Sequence, residues 1–389
     1  MVRFFGTKTT AIEQAYRVWT RLPRSIRAHA AALGARAARA RLQNRAGPVR
    51  LVLFVTNRCT RTCRYCLYSS HLNDPAIQEL AIEEFERLAR SLPERLHLLT
   101  FTGGEPLVRE DLPAIARAFW RFNRTRKISI VTNGDLPERA EAVVREILQQ
   151  TRVTLDLQVS VQSCDDLAIG SPVADTLDRF VSLARSHRRI GLVAALTTIS
   201  QDNLPGFPDL MDTLARDWPV LHKYQFVRGV PGMVFPVGPA RTSDLTPPDL
   251  AHLSLDLQEQ ARVIDLVRSR LPHNRHPFMT WSELVQLEFA REIQATGRAI
   301  FPCRAGQVDC VVFEDGRLSL CENLEPVLSL RDLGMDLGKA WRSGPFQAAV
   351  RRAEGCACTH PCNLSTSMVF DRAGLDPLLV AGPDRPGER

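Results

Sequence analysis

From residue 50 onward the chain changes between two hydrophobic rhythms. Short apolar runs with two-residue alternation occupy 51–55 (LVLFV), 97–101 (HLLTF), 127–131 (KISIV), 153–161 (VTLDLQVSV), 190–197 and 222–227, and these predict strands. Between them, apolar residues recur at three- and four-residue spacing. The sets are Leu80, Phe85, Leu88 and Leu92; Leu112, Ile115, Phe119 and Trp120; Val143, Ile147 and Leu148; and Leu177, Phe180, Val181 and Ala184, with a shorter fifth pattern near 205–216. Strands alternating with helices predict a parallel α/β sheet with right-handed connections. Six strands are too few for a closed eightfold barrel. The expected fold class is therefore α/β, a partial (β/α)6 TIM-like barrel, followed by a small α+β cysteine-rich domain.

The flanks read differently. Residues 1–48 are basic, with Ile12, Ala15, Tyr16 and Trp19 at helical spacing and an alanine- and arginine-rich stretch from Ser25 to Asn44. A helical extension packed on the domain is expected there; a membrane-surface helix or a substrate-gripping arm is the alternative. The barrel is expected over 49–229. Residues 230–299 are expected to be a linker and helices, since 229–248 carry five prolines and three glycines and helical patterns follow near 249–270 and 281–296. The cysteine-rich domain is placed at 300–366 and a C-terminal tail at 367–389.

Composition narrows the function. No run approaches eighteen uncharged apolar residues, so no membrane span is expected. The N-terminus lacks the apolar core of a signal peptide, which points to the cytoplasm. Ten cysteines in a reducing compartment point to metal ligation or redox chemistry rather than disulfides. The net charge is +7 and lysine occurs only at Lys8, Lys127, Lys223 and Lys339; a modest positive balance favours anionic partners without identifying nucleic acid.

The chemistry begins at "TNRCTRTCRYC", Thr56 to Cys66, just after the first strand. Cys59, Cys63 and Cys66 stand in C-x3-C-x2-C spacing. A disulfide needs two thiols and structural zinc usually takes four ligands. Three thiolates can hold three irons of a [4Fe–4S] cube and leave the fourth open to another ligand; a zinc loop is the competing reading. In a parallel α/β fold such loops sit at the carboxyl ends of the strands. There the second strand ends in "TFTGGEP", where Gly103 and Gly104 allow a tight turn close to a ligand and Glu105 can accept hydrogen bonds from an ammonium group. Ser160 and Gln162 alternate on the fourth strand and could face the same cavity, and Thr197, Thr198 and Asn203 follow the fifth. Cys164 is expected to be a buried spectator thiol. Arg228, ending the sixth strand, could hold a carboxylate of cofactor or substrate.

These motifs resemble the radical S-adenosylmethionine (radical SAM) superfamily, whose signature is C-x3-C-x-aromatic-C after the first strand, with Tyr65 in the aromatic position. The GGE turn resembles the family's methionyl-amine site, and Thr132-Asn133-Gly134 stands where the family has a similar turn. The segment "SVQSCDD" only loosely matches the Ser-Leu-Asp-Gly-like segment of relatives. The resemblance implies a [4Fe–4S] cluster whose open iron binds S-adenosylmethionine, and reductive cleavage of that cofactor to a 5′-deoxyadenosyl radical that abstracts hydrogen from substrate.

The tail, "PCRAGQVDCVVFEDGRLSLCENL" and then "GCACTHPCN", predicts a hairpin of Val308–Phe313 and Arg317–Cys321 around Glu314-Asp315-Gly316. It resembles the auxiliary-cluster region called SPASM, or its shorter form, twitch. That implies an auxiliary [4Fe–4S] cluster. Cys303, Cys321, Cys358 and Cys362 are the expected ligands, Cys356 is the alternative, Cys310 is expected in the core, and His360 is expected beside the ligands or at the surface. A zinc site is the competing reading, but paired C-x2-C knuckles are absent.

The expected function is a radical SAM enzyme of oxidoreductase or maturase type. It would act on a small-molecule or peptide substrate, with a reducing partner such as flavodoxin or ferredoxin, and with the auxiliary cluster assisting oxidation or bond formation. Epimerisation with a structural auxiliary cluster is the alternative within the family. A non-catalytic zinc protein binding nucleic acid is the rival class, and the ordered GGE and TNG turns argue against it.

Overall fold

The structure, a computed structural model, describes residues 7–43, 45–66, 68–227, 250–271 and 274–381. Six parallel strands are β1 (Arg50–Thr56), β2 (Leu98–Gly103), β3 (Lys127–Thr132), β4 (Thr154–Ser160), β5 (Ile190–Ile199) and β6 (Leu221–Phe226). Each lies within two residues of the span its apolar run predicts. Helices over Ile82–Ser91, Leu112–Ala118, Pro137–Gln150, Pro172–Ser186 and Phe207–Asp217 alternate with them. Their buried residues are those the helical spacing selects, among them Phe85, Leu88, Val143, Ile147, Leu177 and Phe180. One face of each helix therefore covers the sheet.

The tail hairpin joins this same sheet. β7 (Asp309–Val312) runs parallel to β1, with Arg50 opposite Asp309 and Leu53 opposite Val312. β8 (Arg317–Ser319) and β9 (Leu328–Ser329) then follow antiparallel. The sheet order is β6-β5-β4-β3-β2-β1-β7-β8-β9, so the sheet continues from the barrel strands into the cysteine-rich tail. Cys310 is fully buried in β7, where its strand position puts it.

The basic preface forms two helices, Thr7–Thr20 and Arg24–Gln43, packed on the body. Glu13 accepts hydrogen bonds from Phe278 N (3.0 Å) and Met279 N (3.2 Å), capping the helix Pro277–Thr296. Trp19 Nε1 donates to Leu379 O at 2.6 Å. No helix among the described residues is long and apolar enough to cross a membrane. The proline-rich stretch 229–248 and Arg228 lie outside the described residues.

Candidate active site and cysteine centres

A cavity of about 220 Å³ opens at the carboxyl ends of the parallel strands. Cys59, Cys63, Cys66 and Tyr65 line it from the first loop, Gly103 and Gly104 from the second, Asn133 from the third, and Ser160 and Gln162 from the fourth. Thr198 and Gln225 complete its far wall. These predicted residues, scattered over a hundred positions, meet at one place because each lies at or just after the end of a strand of one sheet.

Packing of the glycine turn against the cysteine loop sets this geometry. Gly103 has φ +129°, and a Cβ there would lie 2.3 Å from Thr56 O. A Cβ on Gly104 would lie 2.2 Å from Arg58 O. Gly104 N donates to Thr56 O (2.8 Å) and Glu105 N to Arg58 O (2.7 Å). The turn therefore holds the entry to the cysteine loop directly, which requires that neither glycine carry a side chain.

Glu105 does not line the cavity. Its buried carboxylate accepts from Leu107 N (3.0 Å), Thr132 Oγ1 (2.8 Å) and Asn133 N (2.7 Å). Burial pushes its pKa up to about 7, against the lowering effect of those three donors. Asn133 in turn reaches the loop, donating to Thr60 Oγ1 at 2.8 Å and approaching Cys59 Sγ at 3.8 Å.

Two loop residues that sequence reasoning did not select are tied to acids at successive strand ends. Arg61 donates from Nε to Asp135 Oδ2 at 2.8 Å and lies 3.9 Å from Asp166, and Arg64 pairs with Asp202 at 2.8 Å. Only the charge alternation inside "CTRTCRYC" hinted at this. Burial raises the Cys59 and Cys63 thiol pKa values, while Arg61 favours the Cys63 thiolate. Arg61 N also donates to Cys59 Sγ at 3.4 Å. Partly buried thiols aimed into one cavity, with N–H donors on sulfur, suit ligation of a cationic cluster.

Other expected residues are placed elsewhere. Thr197 is buried and bonds Val161 O at 2.7 Å, facing the core. Asn203 bonds the backbone at Ser200 and Thr198. Cys164 is exposed rather than buried, because the chain turns outward there into a short 3-10 helix at Asp165–Leu167.

The tail thiols gather into one group with an outlier. Cys303, Cys321, Cys356 and Cys358 are all buried and interact electrostatically with one another. Cys356 and Cys358 are hydrogen-bonded, which lowers the Cys358 pKa and raises that of Cys356. Cys321 Sγ accepts from Asn363 Nδ2 (3.0 Å) and Asn323 N (3.4 Å).

Cys362 stands apart, in the first turn of the helix Pro361–Ser367, where Arg50 donates to it. His360 caps that helix: its Nδ1 accepts from Cys362 N at 3.2 Å, so the ring proton sits on Nε2, 3.3 Å from Glu322 Oε2. Glu322, Cys362 and His360 are the only such ligand group among the described residues with all donor atoms within 4.8 Å. The Arg50 guanidinium already supplies their positive charge. The four gathered thiols are spread more widely than that limit. A single tetrahedral zinc, with bonds of about 2.3 Å, would bring thiolates to about 3.8 Å. The spread fits one thiolate per iron of a cube better.

Phe313 and Glu322 of the tail also line the cavity, beside Phe54 and Tyr68. Tyr68 donates to the Glu314 carboxylate. The tail thus contributes Phe313 and Glu322 to the wall of the cavity that the loop thiols line.

Comparison with known proteins agrees with this geometry. Residues 53–213 match the radical SAM superfamily. GTP 3′,8-cyclase of Marinobacter nauticus is 38% identical over 109 residues, 27% of this chain and 32% of that protein. The enzyme of the same name from Erythrobacter litoralis is 29% identical over 169 residues, 42% of this chain and 45% of that protein. The chain thus spans about a third of the length of the first curated relatives it matches. SuiB of Streptococcus suis, in a crystal structure bound to S-adenosylmethionine, superposes with a TM-score of 0.54 at 15% identity, over 80% of this chain and 70% of that one. Native anSMEcpe with bound AdoMet gives 0.52 at 14% identity, over 79% of this chain and 84% of that one. Residues 53–213 of the chain thus match the radical SAM superfamily, and its fold resembles those of SuiB and anSMEcpe, both seen with S-adenosylmethionine.

Proposed function

We propose that Cys59, Cys63 and Cys66 hold the [4Fe–4S] cluster that binds S-adenosylmethionine, and that the enzyme abstracts hydrogen from a peptide or small-molecule substrate. The observation that carries this is the shared cavity, where all three thiols face Gly103, Gly104, Asn133 and Ser160. When bound, cluster and cofactor supply a 5′-deoxyadenosyl radical after one-electron reduction by a flavodoxin- or ferredoxin-like partner. The chain's own residues position and shield. Gly103 and Gly104 leave backbone at the cavity wall, Glu105 organises the turn and supplies negative charge behind it, and Tyr65 and Tyr68 exclude water.

The tail thiols Cys303, Cys321, Cys356 and Cys358 are proposed to hold an auxiliary [4Fe–4S] cluster in a SPASM/twitch-like region over 300–366, with Cys362 outside the ligand set. The shared wall of Phe313 and Glu322 favours a role in the reaction, in oxidation or bond formation, over a purely structural one. The GTP chemistry of the curated relatives is not carried over, because the likeness covers too little of either chain. SuiB has been seen with the precursor peptide SuiA and anSMEcpe with a peptide, which keeps peptides among the candidates.

The test is anaerobic reconstitution with deuterated candidate substrates, following deuterium into 5′-deoxyadenosine. Iron near eight per chain, with four remaining when the three loop cysteines become alanine, is expected. Undiminished 5′-deoxyadenosine formation by that triple variant sinks the assignment.

A further inference from the structure

The barrel has a second concavity at its opposite end, where the chain enters β2, β3 and β4. Its volume is about 960 Å³, and no aspartate or glutamate lines it. Arg95 reaches it from the turn before β2, Arg121, Arg124 and Arg126 from the turn before β3, and Arg152 from the turn before β4. Lys127 is the sixth cation. Strands of six residues place this cleft about 20 Å from the cysteine loop.

The turns that carry the cations are held in place. Buried Asn123 accepts from Leu96 N (2.8 Å) and donates to Glu94 O (2.9 Å). Thr154 N donates to Arg126 O at 3.0 Å, and Arg126 N to Leu96 O at 3.4 Å. These bonds lace the three turns into one rim. Arg124 has a left-handed backbone at φ +57°, unusual for a residue with a side chain.

Of these cations only Lys127 has an acidic partner among the described residues. Lys127 pairs with Asp156 at 2.5 Å, and Arg121 lies 5.2 Å over the Phe122 ring. Arg95, Arg124, Arg126 and Arg152 have no acidic partner among the described residues. The neighbouring Glu94 is already paired with Arg45 at 2.9 Å. The resulting positive field is felt by His97, whose pKa is lowered by burial and then by Arg45, Arg126 and Arg95. Like charges gathered on a concave surface repel, and an anion relieves that repulsion. Guanidinium groups match the two oxygens of a phosphate, and the half-buried Trp120 adds a flat apolar surface within the cleft.

We propose that this cleft binds a ligand carrying several phosphates in a row, at a site separate from the radical chemistry. A single-stranded nucleic acid and a linear polyphosphate share that chemistry, and the experiment distinguishes them. The full chain is titrated with a single-stranded oligothymidylate, with inorganic tripolyphosphate and with polyglutamate, between about 50 and 200 mM salt. The triple charge reversal Arg95→Glu, Arg126→Glu, Arg152→Glu is compared with Arg188→Glu, Arg262→Glu, Arg298→Glu, which changes net charge equally at exposed positions elsewhere.

At about 0.7 per neutralised phosphate, six cations give a slope of log K on log salt for the oligonucleotide of up to about −4, reduced to about −2 in the cleft variant. Affinity should fall at least about tenfold in the cleft variant and far less in the control. Oligonucleotide binding alone identifies nucleic acid as the source, and tripolyphosphate binding alone identifies free polyphosphate. Polyglutamate binding as tight as either, no binding of either phosphate probe, or equal losses in the two variants overturns the proposal.

Discussion

Gly104→Ala tests how the cysteine loop is held. The added methyl would lie 2.2 Å from Arg58 O, 2.6 Å from Arg58 C and 2.9 Å from Asn57 O. All three are backbone atoms, so no side chain can rotate away. Gly104 is not among the glycines of positive φ, so the effect is one of space. Relief requires the entry to the loop to recede by about 1 Å, which strains the bonds from Gly104 N to Thr56 O and Glu105 N to Arg58 O. Overpacking costs about 1–3 kcal/mol and each weakened hydrogen bond about 0.5–1.5 kcal/mol. The local cost is thus about 2–6 kcal/mol. A 1 Å misplacement at a reacting centre can cost about a hundredfold. Reductive cleavage of S-adenosylmethionine, measured as 5′-deoxyadenosine per minute, should fall by about that factor, while tail iron stays. Gly206→Ala, where nothing lies within 4 Å of the added methyl, should be indistinguishable from the parent. Full activity and full loop iron in Gly104→Ala would refute the reasoning.

Cys356→Ala should lose the tail iron and Cys362→Ala should keep it; iron analysis showing the reverse pattern would exchange their roles. Glu105 has its pKa raised to about 7, so it is largely protonated below that value and anionic above it. Affinity for the cationic amine of S-adenosylmethionine should therefore rise from pH 6 to pH 8 in the parent and stay flat in Glu105→Gln, by equilibrium dialysis. The same raised value means folding takes up a proton, so this group's contribution to stability falls as pH rises from about 4.5 to 7; parent and Glu105→Gln melting curves should diverge over that interval. Asp135→Asn removes the main partner of Arg61, and iron should leave the loop faster on chelator challenge; an unchanged rate would show that the pair does not anchor the loop.

The barrel was legible because its signals are local. Apolar alternation marks each strand, and a motif at a strand's end must lie at the sheet's carboxyl edge whatever the rest of the chain does. Pairing of β7 with β1 was not legible, since it joins Asp309 to Arg50 across some 260 residues and either strand could have found another neighbour. Reach along the chain favoured Cys362 over Cys356. Cys362 lies in a helical turn opened by Pro361 and capped by His360, with Arg50 donating to its sulfur, and this supports the proposal that Cys356 takes its place among the ligands. The cationic cleft was invisible for a related reason: its arginines come from three turns that only the sheet brings together.

The pairing of β7 with β1 also decides what a truncated chain would do. β1 is an inner strand only because the tail covers one side of it. Ending the chain near residue 300 would leave the main-chain donors and acceptors along Arg50–Leu53 open, beside the apolar residues Leu51, Val52 and Leu53. An uncovered, flat, apolar edge is a template for pairing with another molecule. The cysteine-rich tail is thus also the barrel's guard against aggregation, and a shortened chain should form insoluble assemblies rather than a soluble barrel that has merely lost one metal centre.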